Sequence, residues 1–330
     1  MPSKTPYFSS DLHFCNRKRF LILVALIFMT ITPVFASSSM AESTIYYICA
    51  DPHVGHDNYN DNILVASQDF NQEEWDVEKI VVLGDLVEYG VDNVQHVPKF
   101  VEHMNTFNVS NWTYVLGNHD HDRDTNIPVK TPRYWSEEIH GIKLIFLTDE
   151  SRYSLAHANF TETEQYEWLL SELDSDPEQP KLIFSHVSPL GTPIEWFENL
   201  DWETYNLWAW IHGHHRGGRK TYRRYAGRFW EVGLPQLVDK SDGIEVYGSL
   251  LEITPLSSTE THVNLSVRRH DTKEWSHLNW LSFSINVTAP EKPYVFDPLL
   301  VYIPVGVGVL IGIPLIWKKY SAKRKSLKAS

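Results

Sequence analysis

The stretch TIYYICADPHVGH, residues 44–56, shows the pattern on which the fold prediction rests. Its first residues, TIYYIC, are apolar or β-branched, which is typical of a buried strand. Asp51 and His53 follow at once, so side chains that can bind metals or transfer protons stand where the strand ends. Apolar runs followed by polar residues of this kind recur along the chain.

Further apolar runs predict strands at residues 79–83, 113–116, 142–148 and 181–185. Helices are predicted between them, at residues 93–107 and 161–173, and Thr161 with Glu164 forms a capping box for the second helix. This alternation of strand and helix indicates a layered α/β core. Shorter alternating segments after residue 225 indicate a β-rich second half.

Potential metal ligands follow most of these runs. Besides Asp51 and His53, which follow the first run, the later part of the chain contains four such sets: Gly84-Asp85, Gly117-Asn118-His119-Asp120, His186 and His212-Gly213-His214-His215. The strand ends at one edge of an α/β sheet lie side by side, so we expect these residues to converge. Carboxylate, amide and imidazole ligands suit Mn, Fe, Zn or Mg rather than Cu(I).

The ordered set D-x-H, GD, GNHD, a single His and GH resembles the signature of the calcineurin-like metallophosphoesterases. The resemblance extends from about residue 44 to residue 215. It implies two packed β-sheets flanked by helices, with two divalent metal ions at the strand ends. It also implies a hydrolase that acts on phosphate mono- or diesters.

The resemblance also implies a role for each residue of the signature. The metal ligands are Asp51 and His53 for the first ion, Asp85 for both ions, and Asn118, His186 and His214 for the second ion. His119 would donate a proton to the leaving oxygen, and Asp120 would orient the His119 ring. Two bound ions lower the pKa of a water molecule and bind phosphate oxygens.

One position departs from the family pattern. The family usually ends in GH-x-H, and the final His completes the first metal site, but residue 216 is an arginine, which cannot bind a metal. Three alternatives are open: His215 or His212 replaces the missing ligand, water and fewer protein ligands hold the first ion, or the first site is empty. A surface binding module that has lost turnover is the competing functional class.

The purple acid phosphatase branch carries a metal-binding tyrosine three residues after the bridging aspartate. That position is Glu88 here, and Tyr89 comes one residue too late. The sequence therefore favours Mn, Fe(II) or Zn over a ferric ion bound to tyrosinate.

Both ends of the chain predict export and membrane attachment. Residues 1–41 combine basic residues, an apolar run and small residues, as in a secretory signal, with cleavage after Ala36 or Ala41 or an uncleaved anchor as alternatives. The phosphoesterase domain is predicted at 42–289 and a proline-rich stalk at 290–298. A transmembrane helix at 299–317 and a basic tail at 318–330 predict a cytoplasmic C-terminus and a domain outside the cell membrane.

Charge limits the partners of the exported part. Residues 42–317 contain 19 Lys and Arg against 41 Asp and Glu, which excludes a nucleic-acid-binding surface. The expected substrate is a phosphorylated small molecule, lipid or protein. The segment RGGRKTYRRYAGR, residues 216–228, is an exception with six cations, which either attract an anionic substrate or offset nearby acids. Five N-x-S/T sequons agree with an outward-facing glycoprotein.

Overall fold

The computed structural model describes the central part of the chain. The described residues are 42–56, 61–73, 75–88, 93–120, 133–149, 155, 158–188, 195–202, 204–214, 221–225, 229–237, 245–276 and 281–287. The predicted signal, stalk, membrane helix and basic tail lie outside these ranges. Within them, no helix is both long and apolar enough to cross a membrane.

The described strands and helices alternate in the first half of the chain, and strands dominate the second half. The strands are β1 (Thr44–Cys49), β2 (Lys79–Leu83), β3 (Trp112–Val115), β4 (Trp135–Ile139), β5 (Ile142–Leu147), β6 (Lys181–Ser185), β7 (Leu207–His212), β8 (Thr221–Tyr225), β9 (Phe229–Gly233), β10 (Tyr247–Pro255), β11 (Glu260–Arg269), β12 (Glu274–Trp275) and β13 (Leu281–Asn286). The helices are α1 (Asn62–Gln72), α2 (Asn93–Met104), α3 (Glu164–Ser175) and α4 (Glu195–Glu198), with a 3₁₀ helix at Ala158–Glu162.

These strands form two β-sheets. The first has the order β12-β11-β10-β1-β2-β3, with β13 paired to β11, and the second has the order β4-β5-β6-β7-β9-β8. Strands β1, β2 and β3 pair in parallel, as do β5, β6, β7 and β9. Because parallel strands end at the same edge of a sheet, the segments after β1, β2, β3, β6 and β7 can bring their side chains together.

The central parallel strands β1, β2, β3 and β6 are buried on both faces, which explains their nearly continuous apolar sequences. Alternate residues of a strand point to opposite faces. Ile48 of β1 therefore belongs to the core between the two sheets, together with Phe146 of β5, whereas Tyr47 belongs to the core under α1 and α2. Ile145 of β5 packs in a third cluster with Leu169 of α3. The molecule is thus a two-sheet α/β fold with helices outside both sheets, as predicted.

Most predicted strands are confirmed, but one predicted helix start is wrong. Thr161 does not begin the helix as its N-cap, because residues Ala158–Glu162 form a 3₁₀ helix. Thr163 is the N-cap of α3 instead, and its Oγ1 accepts a hydrogen bond from Tyr166 N at 3.1 Å. The sequence analysis also missed α1, β4 and β7.

Candidate metal centre

The structure brings the predicted ligands together at the ends of the parallel strands. Two groups of side chains each place their ligand atoms within 4.8 Å of one another: Asp51, Asp85, His186 and His214 in one, and His53, Asp85 and His119 in the other. Asp85 is common to both groups. Asp51, predicted as a ligand of the first ion with His53, falls in the group of His186 and His214, and its Oδ1 is 3.8 Å from His53 Nε2. Asn118 joins the first group, because its Oδ1 is 3.1 Å from His186 Nε2.

Asp85 divides its two carboxylate oxygens between the two groups. Its Oδ1 is 3.2 Å from His186 Nε2, and its Oδ2 is 3.5 Å from His53 Nε2. The backbone N–H of His119 donates to Oδ1 at 2.8 Å and fixes the carboxylate. A carboxylate with one oxygen directed to each side is suited to bridge two metal ions.

His186 is held in one orientation for ligand binding. Its Nδ1 is 2.9 Å from the carbonyl oxygen of Leu83, to which it can donate a hydrogen bond. Its Nε2 then faces Asn118 Oδ1, Asp85 Oδ1 and His214 Nδ1, the last at 3.2 Å. A carbonyl behind a metal-binding histidine commonly fixes its tautomer in this way.

Glu88 is a site residue to which the sequence analysis gave no role. One of its carboxylate oxygens is 2.9 Å from His53 Nδ1, and the other is 3.5 Å from His119 Nδ1. The two rings are in edge-to-face contact, with centroids 4.8 Å apart. Glu88 therefore faces the outer nitrogens of both histidines, while their Nε2 atoms face Asp85. The only sequence signal of this contact is that Glu88 lies three residues after Asp85.

Asp51 is anchored at both carboxylate oxygens. Its Oδ2 accepts a hydrogen bond from the backbone N–H of His214 at 2.9 Å. Its Oδ1 accepts one from Gln236 Nε2 at 3.2 Å and lies 3.8 Å from His53 Nε2. Gln236 was also missed, because no motif marks a glutamine that follows a strand of the other sheet.

Asp120 connects two of the loops that carry ligands. Its buried carboxylate accepts hydrogen bonds from the backbone N–H groups of Gly117, Leu86 and Val87, at 2.7, 2.9 and 3.3 Å. These bonds join the segment after β2 to the segment after β3. The role predicted for Asp120, orientation of the His119 ring, stays a prediction.

The site is built from strained backbone. Asp51, His53, Asp85 and His214 have φ between 44° and 57°, and they are four of the seven non-glycine residues with positive φ in the described ranges. Left-handed backbone is costly for such residues and is typical of functional sites. Gly117 is required for a different reason, since a Cβ there would lie 2.3 Å from the backbone nitrogen and Oδ1 of Asp85.

The buried acids and histidines of the site shift one another's pKa. Burial, together with the charge of Asp85, raises the pKa of Asp51 to about 6, and it raises the pKa of Asp120 to about 8. Burial would also raise the pKa of Asp85, but His186 and His53 lower it well below its usual value. The pKa of His186 shifts in the opposite direction. Burial would lower it, but Asp85 and Asp51 raise it to about 10.

The residues present fit a pair of divalent ions. Buried carboxylates at short range repel one another, and bound cations would relieve that repulsion. Oxygen and imidazole ligands are those that Mn, Fe and Zn prefer.

Of the two histidines predicted as replacements for the missing ligand, the structure describes only His212. His212 Nε2 is 3.7 Å from Glu231 Oε1, and its Nδ1 is 2.8 Å from Gly213 O. His212 belongs to neither ligand group among the described residues. His215 and Arg216 lie outside those residues, and of the cationic segment only the backbone of β8 is described.

The two-sheet fold and the Asp and His groups at its strand ends define a metallophosphoesterase-like protein. The sequence pattern of the calcineurin-like phosphoesterases matches residues 46–216, just over half of the chain. The chain belongs to the calcineurin-like phosphoesterase family. No curated protein sequence is significantly similar to it.

Solved structures show the same fold. A dimetal phosphatase from Danio rerio is 13% identical with a TM-score of 0.51, over 74% of this chain and 99% of that one. A purple acid phosphatase isolated from yellow lupin (Lupinus luteus) seeds is 14% identical with a TM-score of 0.50, over 74% of this chain. The chain spans about half the length of the lupin enzyme, with 54% of that chain covered. At these identities the likeness shows the fold alone.

Proposed function

We propose that the chain is a metal-dependent phosphoric ester hydrolase with a binuclear centre, acting on mono- or diesters. The observation that carries the proposal is the orientation of Asp85, whose two oxygens face His53 and His186 on opposite sides. The family membership supports the same class of reaction.

The chain's own residues would hold the two ions. Asp51 and His53 would bind the first, Asp85 both, and Asn118, His186 and His214 the second. When bound, two divalent ions lower the pKa of a water molecule toward neutrality and neutralise charge on the phosphate group. The donor atoms agree with Mn, Fe or Zn.

His119 is the residue placed to move a proton. Its side chain is 19% exposed, its Nε2 is 3.9 Å from Asp85 Oδ2, and its Nδ1 faces Glu88. A proton on Nδ1 would face the Glu88 carboxylate, 3.5 Å away, so the proton for the leaving oxygen would come from Nε2. This is general acid catalysis by a positioned imidazole.

The test is a panel of phosphate mono- and diesters with the chain reconstituted with manganese, iron or zinc. Asp85→Asn and Asn118→Ala should lower kcat/KM by roughly 10³-fold or more, because the bridging and second-site ligands are lost. Asp76→Asn is the control, since Asp76 is exposed and outside the site. Retained activity in Asp85→Asn would refute the assignment, and a folded wild type without turnover that binds one metal or none would indicate the binding module.

We also propose that the domain faces outward from the cell membrane and acts on a phosphorylated small molecule, lipid or protein. The support is the sequence at both ends, namely the predicted signal at 1–41 and the predicted helix at 299–317 with its basic tail. The full chain should sediment with membranes and be digested by external protease, whereas a chain that ends at residue 298 should be released. A full chain that stays in the soluble fraction would contradict this proposal.

A further inference from the structure

The segment that follows β9 passes the ends of two strands that precede metal ligands. Leu234 N donates to the carbonyl oxygen of His212, at the end of β7, at 2.7 Å. Leu237 N donates to the carbonyl oxygen of Ala50, just after β1, also at 2.7 Å. Gln236 lies between these two anchors and is only 2% exposed. Its side chain is therefore held at the edge of the metal centre.

One end of the Gln236 amide has a partner among the described residues, and the other has none. Nε2 donates to Asp51 Oδ1 at 3.2 Å, whereas Oε1 is buried and has no hydrogen-bond partner there. Gln165, which is 1% exposed, differs, because its Oε1 accepts from Thr148 N and its Nε2 donates to Thr148 O, both at 2.8 Å. A buried polar atom without a partner is costly and uncommon in folded proteins. In either orientation of the Gln236 amide only one of its ends meets Asp51, so this amide is half satisfied, whereas that of Gln165 is satisfied at both ends.

We propose that Gln236 Oε1 supplies the protein ligand of the first metal ion that residue 216 does not supply. The inference rests on the binuclear function proposed above. The oxygen of Asp51 that meets the Gln236 amide is Oδ1, which is also the oxygen that faces His53. The amide thus lies on the side of Asp51 that belongs to the first site.

The side chain can present its oxygen without movement of the backbone. A half-turn about the last torsion of Gln236 exchanges the amide nitrogen and oxygen, and this torsion has a broad, roughly two-fold preference. The oxygen would then take the place of Nε2, which is 3.2 Å from Asp51 Oδ1. Two oxygens bound at right angles to one ion at ~2.1 Å lie about 3.0 Å apart. The observed spacing is close to this value.

The chemistry of an amide oxygen also suits this position. It is a neutral, hard donor of the kind that Mn²⁺ and Mg²⁺ accept. Asp51 and Asp85 already bring two buried carboxylates to the site, so a neutral ligand adds no further repulsion.

The test is a titration of the metal-free full chain with Mn²⁺, followed by calorimetry and by the electron paramagnetic resonance signal of free Mn²⁺. Wild type should bind two equivalents. Gln236→Leu should keep one equivalent at unchanged affinity and bind the other at least ~10-fold more weakly. Gln236→Glu should keep both, since it places an oxygen at the same point. Gln165→Leu is the matched control and should also bind both at the wild-type affinities.

Each outcome bears on the proposal. Two equivalents at wild-type affinity in Gln236→Leu would overturn it, as would weaker first-site binding by Gln236→Glu than by Gln236→Leu. If Gln236→Leu does not fold, Gln236→Asn decides, because the retracted amide should weaken one site and leave the other unchanged. A wild type that binds fewer than two ions and hydrolyses no ester would instead refute the binuclear function itself.

Discussion

Two buried charged clusters in this molecule show how differently such groups can be used. The metal centre gathers Asp51 and Asp85, which are at most 2% exposed. A second cluster, called here the Arg268 cluster, consists of Asp69, Arg268 and His270, which are at most 4% exposed. Burial is nearly the same in the two clusters, but the way in which charge is balanced is not.

The Arg268 cluster contains its own cation and closes on itself. Arg268 donates to both carboxylate oxygens of Asp69, at 2.6 and 2.8 Å, and to Glu73 at 2.7 Å. His270 Nδ1 is 2.8 Å from Asp69 Oδ2, and its Nε2 is 2.8 Å from the hydroxyl of Tyr47. The guanidinium also lies over the rings of two tryptophans, Trp75 and Trp275. This network joins α1 to β11.

The pKa values of the two buried aspartates are shifted in opposite directions. Burial would raise the pKa of Asp69, but its bonds to Arg268 and His270 lower the pKa below its usual value. The pKa of Asp51 is instead raised to about 6 by burial and by Asp85. The comparison teaches that a buried cluster with a permanent cation satisfies its own charges, so that loss of one partner is costly, whereas a cluster of buried acids and histidines is suited to external cations.

The largest expected effect comes from the same substitution made in each cluster. Asp69→Asn should lower the free energy of unfolding by about 3–5 kcal/mol, because it leaves the buried Arg268 with only the partly exposed Glu73 as its carboxylate partner. Asp51→Asn should leave stability equal or higher in the presence of a chelator at pH 7, because a group with a raised folded-state pKa is costly to keep ionised. Urea unfolding at fixed pH measures both.

The effects of these two substitutions on metal affinity should be the reverse of their effects on stability. Asp69→Asn should retain two equivalents of metal in its folded fraction, and Asp51→Asn should lose affinity. Equal loss of stability in the two variants would remove the distinction between the clusters.

A smaller effect should come from two buried glycines, one in each cluster. An alanine at Gly117 would place its Cβ 2.3 Å from Asp85, and an alanine at Gly248 would place it 2.1 Å from the hydroxyl of Tyr47. Each should cost about 1–3 kcal/mol through overpacking. Only Gly117→Ala should also weaken metal binding, by roughly 10–100-fold, since it displaces the Asp85 carboxylate. Loss of metal affinity in Gly248→Ala would contradict this division.

Much of the candidate metal centre could be predicted from sequence, because its candidate ligands follow apolar strands directly. An apolar run shows where a strand ends, and parallel pairing then brings the next residues together. Asp51, Asp85 and His186 could be found for this reason.

The Arg268 cluster could not be predicted, since Asp69 and Arg268 are 199 residues apart and no motif connects them. Gln236 and Glu88 were missed on similar grounds, because their roles depend on contacts to side chains elsewhere in the fold. The start of α3 was misplaced because the 3₁₀ helix at Ala158–Glu162 competes with the predicted capping box.

The most direct measurement is anomalous diffraction from crystals of the manganese-loaded chain. The account predicts two peaks, about 3.5–4 Å apart, one on each side of the Asp85 carboxylate. A single peak, or two peaks that Asp85 does not join, would contradict a binuclear centre in this protein.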